Sequence, residues 1–455
     1  MGSAAKKILY LVHGLAPTEN TGAPLHAYGY ARTCAERGIK AAVVHADPSI
    51  TGWGEVRGIA DPEGFVRYGV PATLGPLWPF EAASVRPASE ATAHFGKILA
   101  EISPDVVHVV DNVFLPLDWP EVASRAAPVV RSVSCTEDLC SLIPPVSHMS
   151  GEKGYCEAPL TPQRCAQCSL SVYEGLRAPK GRPAETSQRL LALLEAKRRR
   201  ARAQFNGVFE RILFSSAEFR EYFEATLPLD PARVLICEEG IDTALWPHPR
   251  PEVKRSAGEP LVIALAAAIH PSRGHRDVVE ALRRPELADR QGWRLEVLGG
   301  GDPELSAALG SAGPAVHLNG PYEPAELPEL LSKVHVGLSA SLFETFHRVS
   351  REYLLAGLPV ICNPTFGTAA LIADGVNGLT YDHSDPGGLA RCVSTLLDQP
   401  GLLEHLGRGA RATPVRSCAQ ELDDLVCVYD DVIAHRRRSG RALRATWVAR
   451  RVFRR

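Results

Sequence analysis

Short apolar runs bounded by Gly, Pro or charged residues recur along the chain, with amphipathic stretches between them. Residues 8–12, Ile-Leu-Tyr-Leu-Val, predict a buried strand, and residues 25–37 predict a helix that stops at Gly38. Further strands are expected at 41–44, 103–110, 129–130, 211–216 and 234–236. Strands that alternate with helical patterns imply a parallel sheet with helices on both faces. Residues 243–260 are rich in Pro and charge, have no apolar period, and predict a linker. A second alternating set follows at 261–265, 294–298 (before Gly299-Gly300-Gly301), 315–318, 334–338 and 359–361. The fold class is therefore α/β, with doubly wound domains at 1–242 and 261–435 and a separate tail at 436–455.

Length agrees with that division, since 455 residues exceed one core. A hydrophobic content of 45% with 22% charged residues describes a soluble globular protein. No apolar run reaches the roughly twenty residues of a membrane-spanning helix. The N-terminus leads directly into the first strand and reads as no signal peptide, so a cytoplasmic location is expected. Eleven Cys in such a compartment argue against a disulfide framework.

The net charge of −2 hides an asymmetry, because residues 436–455 hold nine Arg and no acidic residue. From 441 onward a helix would place Ala442, Ala445, Val448, Ala449, Val452 and Phe453 on one arc, with Leu443 and Trp447 among the Arg residues. That composition suits peripheral attachment to an anionic membrane on its inner face. A solvated tail is the competing reading. Nucleic acid is not expected as a partner, since the main body is acidic and carries no motif for it.

The most informative chemistry lies in residues 342–361. Glu344 stands at a loop-to-helix junction and Glu352 two turns further on, before a stop at Gly357-Leu358-Pro359. Eight residues at 3.6 per turn place both carboxylates on nearly one side. Between them, the amides of Thr345 and Phe346 are expected to be free donors of the first turn, at the positive end of the helix dipole. Two hydroxyl acceptors flanking an anion nest suit a ligand that is both sugar and phosphate.

Glu344-Thr345-Phe346, Glu352, the run Ala356-Gly357-Leu358-Pro359-Val360, Phe366-Gly367 and Asp374-Gly375-Val376-Asn377-Gly378-Leu379 occur in that order. Together they resemble the donor-site signature of family-four retaining glycosyltransferases of the GT-B fold. The resemblance implies two Rossmann-like domains facing a central cleft, with the acceptor side in 1–242 and the nucleotide-sugar donor side in 261–435. It implies transfer of a sugar from a nucleotide-diphosphate-sugar donor to an acceptor hydroxyl, without a catalytic metal. Glu344 would bind donor-sugar hydroxyls near the reacting carbon and Glu352 the ribose. Arg273, with the Thr345 and Phe346 amides, would stabilise the leaving diphosphate. Gly22, in the loop Thr21-Gly22-Ala23 before a helix, matches the family's glycine-bearing loop and would touch the diphosphate or the acceptor.

Three positions depart from the family pattern. Ala268 replaces an expected Arg, with Arg273 keeping the second cation and His270 or Arg348 available to share its load. Ser134-Cys135 replaces an expected His-Asp, and Ala370 an expected Glu. A degenerate partner-binding subunit, or an epimerase or phosphorylase on the same scaffold, is therefore the alternative.

Cys140, Cys156, Cys165 and Cys168 fall in one Gly/Pro-rich stretch at about 135–170, and the last two form a CxxC. Four thiolates would satisfy a tetrahedral structural zinc ion and anchor a loop with no core of its own. An iron–sulfur cluster or four buried thiols are the other readings. The stretch is also similar to a cysteine-bearing insertion found in some members of the family.

Overall fold

Both sets of apolar runs become parallel sheets in the computed structural model, which describes residues 6–19, 21–72, 89–140, 155–175, 183–313, 315–385 and 387–452. The chain forms two units. The described part of the first comprises residues 6–140, 158–240 and 418–452, and that of the second residues 155–157 and 241–417, less the gaps just given.

Among the described residues, the first unit holds β1 (Lys7–Val12), β2 (Lys40–Asp47), β3 (Ile59–Ala60), β4 (Val66–Pro71), β5 (Val106–Val109), β6 (Val129–Val133), β7 (Phe209–Phe214) and β8 (Val234–Ile236). Their order across the sheet is β3-β4-β2-β1-β5-β6-β7-β8, and all neighbours run parallel except β3 and β4. Residues 8–12 and 106–109 are buried throughout, as expected of strands covered by helices on both faces. The helices Gly22–Glu36, Ser89–Ile102, Trp119–Ala126, Pro183–Gly207 and Ala217–Thr226 are its connections.

The second unit holds β9 (Leu261–Ala266), β10 (Trp293–Leu298), β11 (Val316–Gly320), β12 (Val336–Ser339), β13 (Val360–Cys362) and β14 (Gly378–Thr380). The order β11-β10-β9-β12-β13-β14 is all parallel, the 3-2-1-4-5-6 arrangement of a Rossmann sheet. In each sheet the strand order reverses next to the strand that comes first in sequence, between β1 and β5 and between β9 and β12. Connections leave to opposite faces at such a point, and a crevice opens at the strands' carboxyl ends.

Two boundaries differ from those expected. Residues 243–260 have no regular element, yet they pack into the second unit and do not span freely as a linker. Trp246 and Val253 join its core, and Arg250 Nη1 donates to the Thr413 carbonyl at 2.6 Å. The second domain also ends before residue 435, because the long helix Cys418–Val452 belongs to the first unit. Its apolar stripe of Leu422, Leu425, Tyr429, Val432 and Ile433 enters the core built on β1. Buried polar groups fix the register. Glu421 accepts from Tyr30 Oη at 2.5 Å and from the Gly240 amide at 2.6 Å, and His108 Nδ1 meets Tyr429 Oη at 2.7 Å. An amphipathic helix specifies only that one face is covered, so its sequence does not name the sheet that covers it.

Leu425 is fully buried at this contact. Leu425→Ala should lower the stability of the first unit by roughly 2–5 kcal/mol, read from urea denaturation. An unchanged midpoint would show that the helix does not complete this core.

Candidate functional site

The crevice of the second sheet is built from the loops after β9 and β12. After Ala266 the chain makes a 3₁₀ turn, Pro271–Arg273, and enters the helix His275–Leu282 through Gly274 at φ 70°. A Cβ on Gly274 would lie 1.8 Å from the Ala340 carbonyl oxygen, so only glycine allows the two loops to pass this closely. The Leu342 amide donates to the Ser272 carbonyl at 3.0 Å. This lacing brings the Arg273 guanidinium onto the Glu344 carboxylate, with 40% and 15% of the two side chains exposed. Two residues 71 positions apart in sequence thus meet at the reversal of strand order.

The helix begins later than expected. It spans Arg348–Leu355 with His347 as its N-cap, so Thr345 and Phe346 lie in the preceding loop and are not its first turn. Glu344 and Glu352 are accordingly not on one helical side. Glu344 stands on the loop, and Glu352 is a buried helix residue that accepts from Arg348 Nε at 2.8 Å. The loop is fixed from several directions. The Gly367 amide donates to the Glu344 carbonyl at 2.8 Å, and the Arg351 guanidinium lies 3.8 Å from the Phe346 ring centre. Arg351 also donates to the Phe346 carbonyl and, at 3.2 Å, to that of Gly367.

His347 is a residue the sequence reading did not single out. At φ 55° its Nδ1 accepts from the Ser350 amide at 3.1 Å, which leaves Nε2–H to donate to Ser339 Oγ at 2.7 Å. Burial, with the nearby charges of Arg273 and Arg351, holds its pKa down at about 3. The Asp374–Leu379 part of the signature is bonded within its own turn and to Thr413. Asp374 Oδ1 accepts from the Thr380 amide at 2.7 Å, and the Asn377 side chain joins Ala373, Leu371 and Thr413 at 2.8, 2.9 and 2.8 Å.

In the first unit Gly22 opens the helix Gly22–Glu36, and among the described residues no atom outside its chain neighbours and its own helix backbone lies within 4 Å of where its Cβ would be. The crevice of that sheet holds a charged pair that local sequence signals did not reveal. His13 Nδ1 lies 2.6 Å from Asp111 Oδ2, across 98 residues. Asp111 is buried, and the charge of His13 holds its carboxyl below the usual range against the effect of burial.

Of the four cysteines proposed for a metal, Cys140, Cys165 and Cys168 belong to the first unit and Cys156 to the second. Cys165 and Cys168 lie on the helix Pro162–Gly175, where Arg198 Nη2 donates to Cys165 Sγ at 3.3 Å and to the Leu139 carbonyl at 3.1 Å. Burial raises the Cys165 thiol above its ordinary value, although Arg198 pulls the other way. Among the described residues, no group of three or more His, Cys, Asp or Glu is placed to hold a metal ion. The described residues therefore do not present a four-thiolate set. Residues 141–154 of the same stretch lie outside the described residues.

Residues 259–399 match the model of the family described as Glycosyl transferases group 1. The chain is 27% identical over 229 residues to the D-inositol 3-phosphate glycosyltransferase of Salinispora arenicola, covering 45% of this chain and 51% of that protein. It is 26% identical over 184 residues to the glycogen synthase of Mycobacterium tuberculosis, covering 40% and 44%. The chain thus spans about half the length of the curated relatives it matches. Anabaena HepE, solved in complex with UDP, aligns with a TM-score of 0.60 at 16% identity, over 93% of this chain and all of that one. WaaG, a glycosyltransferase involved in lipopolysaccharide biosynthesis, aligns with a TM-score of 0.60 at 17% identity, over 92% and 99%. At these identities the likeness shows the fold, which is GT-B with two Rossmann-like units.

His347 supplies a test of the loop. An unfolded His takes up a proton near its ordinary pKa of 6.5, while the folded one resists until about 3. Between these values the unfolded state binds more protons, so stability falls as pH drops, by up to about 1.4 kcal/mol per pH unit. His347→Asn keeps a residue that tolerates positive φ and caps a helix. It should flatten the pH dependence of urea unfolding of the second unit between about pH 6 and 4, by close to one proton. An unaltered slope would exclude His347 as the neutral cap.

Proposed function

We propose, with residues 259–399 forming a Glycosyl transferases group 1 domain, that this chain is a retaining glycosyltransferase. It would move a sugar from a nucleotide-diphosphate-sugar donor to an acceptor hydroxyl. The observation that carries the reading is the Arg273–Glu344 pair at the strand-order reversal of the second sheet. This is where α/β sheets of this order bind nucleotides. A ready-made ion pair offers a cation for phosphate and an acceptor for hydroxyls in one place. The complexes of HepE with UDP and with UDP-glucose support a uridine-type donor for a chain of this fold.

In this reading the donor diphosphate takes over Arg273, and negative charge grows on its bridging oxygen as the sugar leaves. A cation already held in the crevice stabilises that charge as it develops. Glu344, released from Arg273, accepts hydrogen bonds from donor-sugar hydroxyls. Glu352 takes the ribose hydroxyls, exchanging its bond to Arg348 for them. The amides of Arg348 and Val349 open the helix and face the anion with the positive end of its dipole, since the Ser350 amide is already held by His347. Thr345 and Phe346 contribute from the loop. The acceptor hydroxyl attacks on the face from which the diphosphate departs and gives its proton to that diphosphate. Such a step needs positioning and charge stabilisation, and no protein nucleophile.

The basic tail adds a second element to the proposal. The helix Cys418–Val452 extends through most of it, and Arg436 Nη2 donates to the Arg125 carbonyl at 3.2 Å while Arg437 stands 3.6 Å from Asp105. These contacts tie the root of the tail to the first unit. The side chains from 440 onward lie outside the described residues. Among the described residues no helix is long and apolar enough to cross a membrane, so attachment would be through charge at the surface.

Glu344→Gln should lower turnover about a hundredfold with folding intact, because a charge-assisted bond to the reacting sugar is lost. Nucleotide release in the presence of an acceptor measures it, and near-normal turnover would remove Glu344 from the site. Glu352→Ala should act on donor affinity, so an unchanged donor dissociation constant would refute its ribose role. Deleting residues 436–455 should abolish salt-sensitive sedimentation with anionic vesicles while leaving nucleotide binding intact, at on the order of 1 kcal/mol per Arg near the surface. Full-length protein that ignores such vesicles at low salt would rule out the membrane role.

A further inference from the structure

The first sheet reverses its strand order between β1 and β5, as the second does between β9 and β12, and there too a charged pair joins the two loops. Asp111, 1% exposed, accepts from the His13 amide at 3.0 Å and faces His13 Nδ1 at 2.6 Å. On the other side of the ring, Nε2 meets Glu19 Oε1 at 3.0 Å, and Thr21 Oγ1 donates to the same oxygen at 3.0 Å. The Phe114 ring stands edge-on to His13 with centres 5.6 Å apart. Glu19 Oε2 folds over Gly14, where a Cβ would lie 2.1 Å from it, so the carboxylate reaches this position only because residue 14 has no side chain.

A carboxylate held by an imidazolium and a hydroxyl, in a crevice at the carboxyl ends of a parallel sheet, is a built hydrogen-bond acceptor. It is 34% exposed while Asp111 beneath it is sealed. A carboxylate repels phosphate and accepts from hydroxyls, and one already immobilised loses little freedom when a ligand arrives. We infer that Glu19 is the carboxylate that recognises a polyol acceptor through its hydroxyls, with His13 and Asp111 as the residues that position it. The inference rests on the transferase reading and gives the acceptor its chemical class.

The charges support this geometry. Burial pushes the His13 pKa down, but Asp111 and Glu19 outweigh it and hold it at about 10. Burial raises Glu19, and its bonds to His13 and Thr21 bring it below its ordinary value. The clamp is therefore charged from the usual glutamate range up to about pH 10 and is lost as pH rises through that value. Asp111 also feels the charge of Arg131, so the groups facing His13 and its partner are Asp111, Glu19 and Arg131.

The test follows the His13 imidazole nitrogens by NMR in full-length protein labelled with nitrogen-15 histidine, titrated with glucose, maltose and myo-inositol. At least one of these sugars should move the His13 signals. Glu19→Gln should weaken that binding about tenfold, the loss of one charge-assisted bond. In Asp111→Asn the His13 pKa should drop toward its ordinary value, so sugar affinity should decline as pH rises through neutrality. The unsubstituted protein should stay level until pH nears 10. His13 signals that none of the sugars moves, or Glu19→Gln binding as tightly as the parent, would overturn the inference. UDP binding, measured by calorimetry on the same samples, should be equal in parent and Glu19→Gln. Failure of the parent to bind UDP while sugars still move His13 would overturn the donor side of the transferase reading and leave the polyol site standing.

Discussion

A parallel sheet whose strand order reverses leaves one place where the backbone on both sides turns away, and the polar chain ends there need partners. In this protein that constraint governs both units. Loops after β9 and β12 are held together by the passage of Gly274 under Ala340 and by the Leu342–Ser272 hydrogen bond. What they hold is an Arg facing a Glu. Loops after β1 and β5 are held together by Asp111, which takes both the amide and the ring of His13. The same topological opening is thus filled by a different ion pair in each unit. The two openings therefore differ in chemistry, with an Arg beside a Glu in one and a His between two carboxylates in the other.

Charged groups near these openings are costly unless paired, and the structure pairs them in layers. Arg131 is almost wholly buried, bonded to Glu137 and Asp138, and lies close enough to Asp111 to lower its pKa. Arg351 is likewise buried against the Phe346 ring and the loop carbonyls. Removing one member of such a set leaves an uncompensated buried charge, which is far more damaging than the net worth of the pair. These interior arginines therefore hold the loops in place. The histidines divide by partner. His347 and His275 are kept neutral chiefly by burial, whereas His13 has two carboxylates and stays charged.

Much of the fold was legible in the chain. Strands β1, β9 and β10 and the helix after β1 come from apolar runs and breakers that depend only on neighbouring residues. The irregular stretch 243–260 was also visible as irregular, but its packing into the second unit was not, because Trp246 and Val253 find their partners far along the sequence. The helix Cys418–Val452 shows the same limit more strongly. Its apolar stripe was not read from the sequence as part of the first core, and the placement of Tyr30, His108 and Gly240 is what joins it there.

For the site, the sequence by itself determined the loop-to-helix segment around Glu344 and Glu352, the cation at Arg273, and the break at Gly357. The segment and the break are local, so spacing and residue type suffice to see them, whereas Arg273 was legible only through the family resemblance. Tertiary structure decided the rest. It moved the helix start to Arg348, because His347 adopts a positive φ and caps the turn with its own ring, a choice made by burial against Ser339. It sent Glu352 to Arg348 and Glu344 to Arg273. It also joined His13 to Asp111 across 98 residues, a pairing invisible in either segment alone. Periodicity reports which side of an element is buried, but the order of strands in a sheet sets which loops meet, and that order is a property of the folded chain.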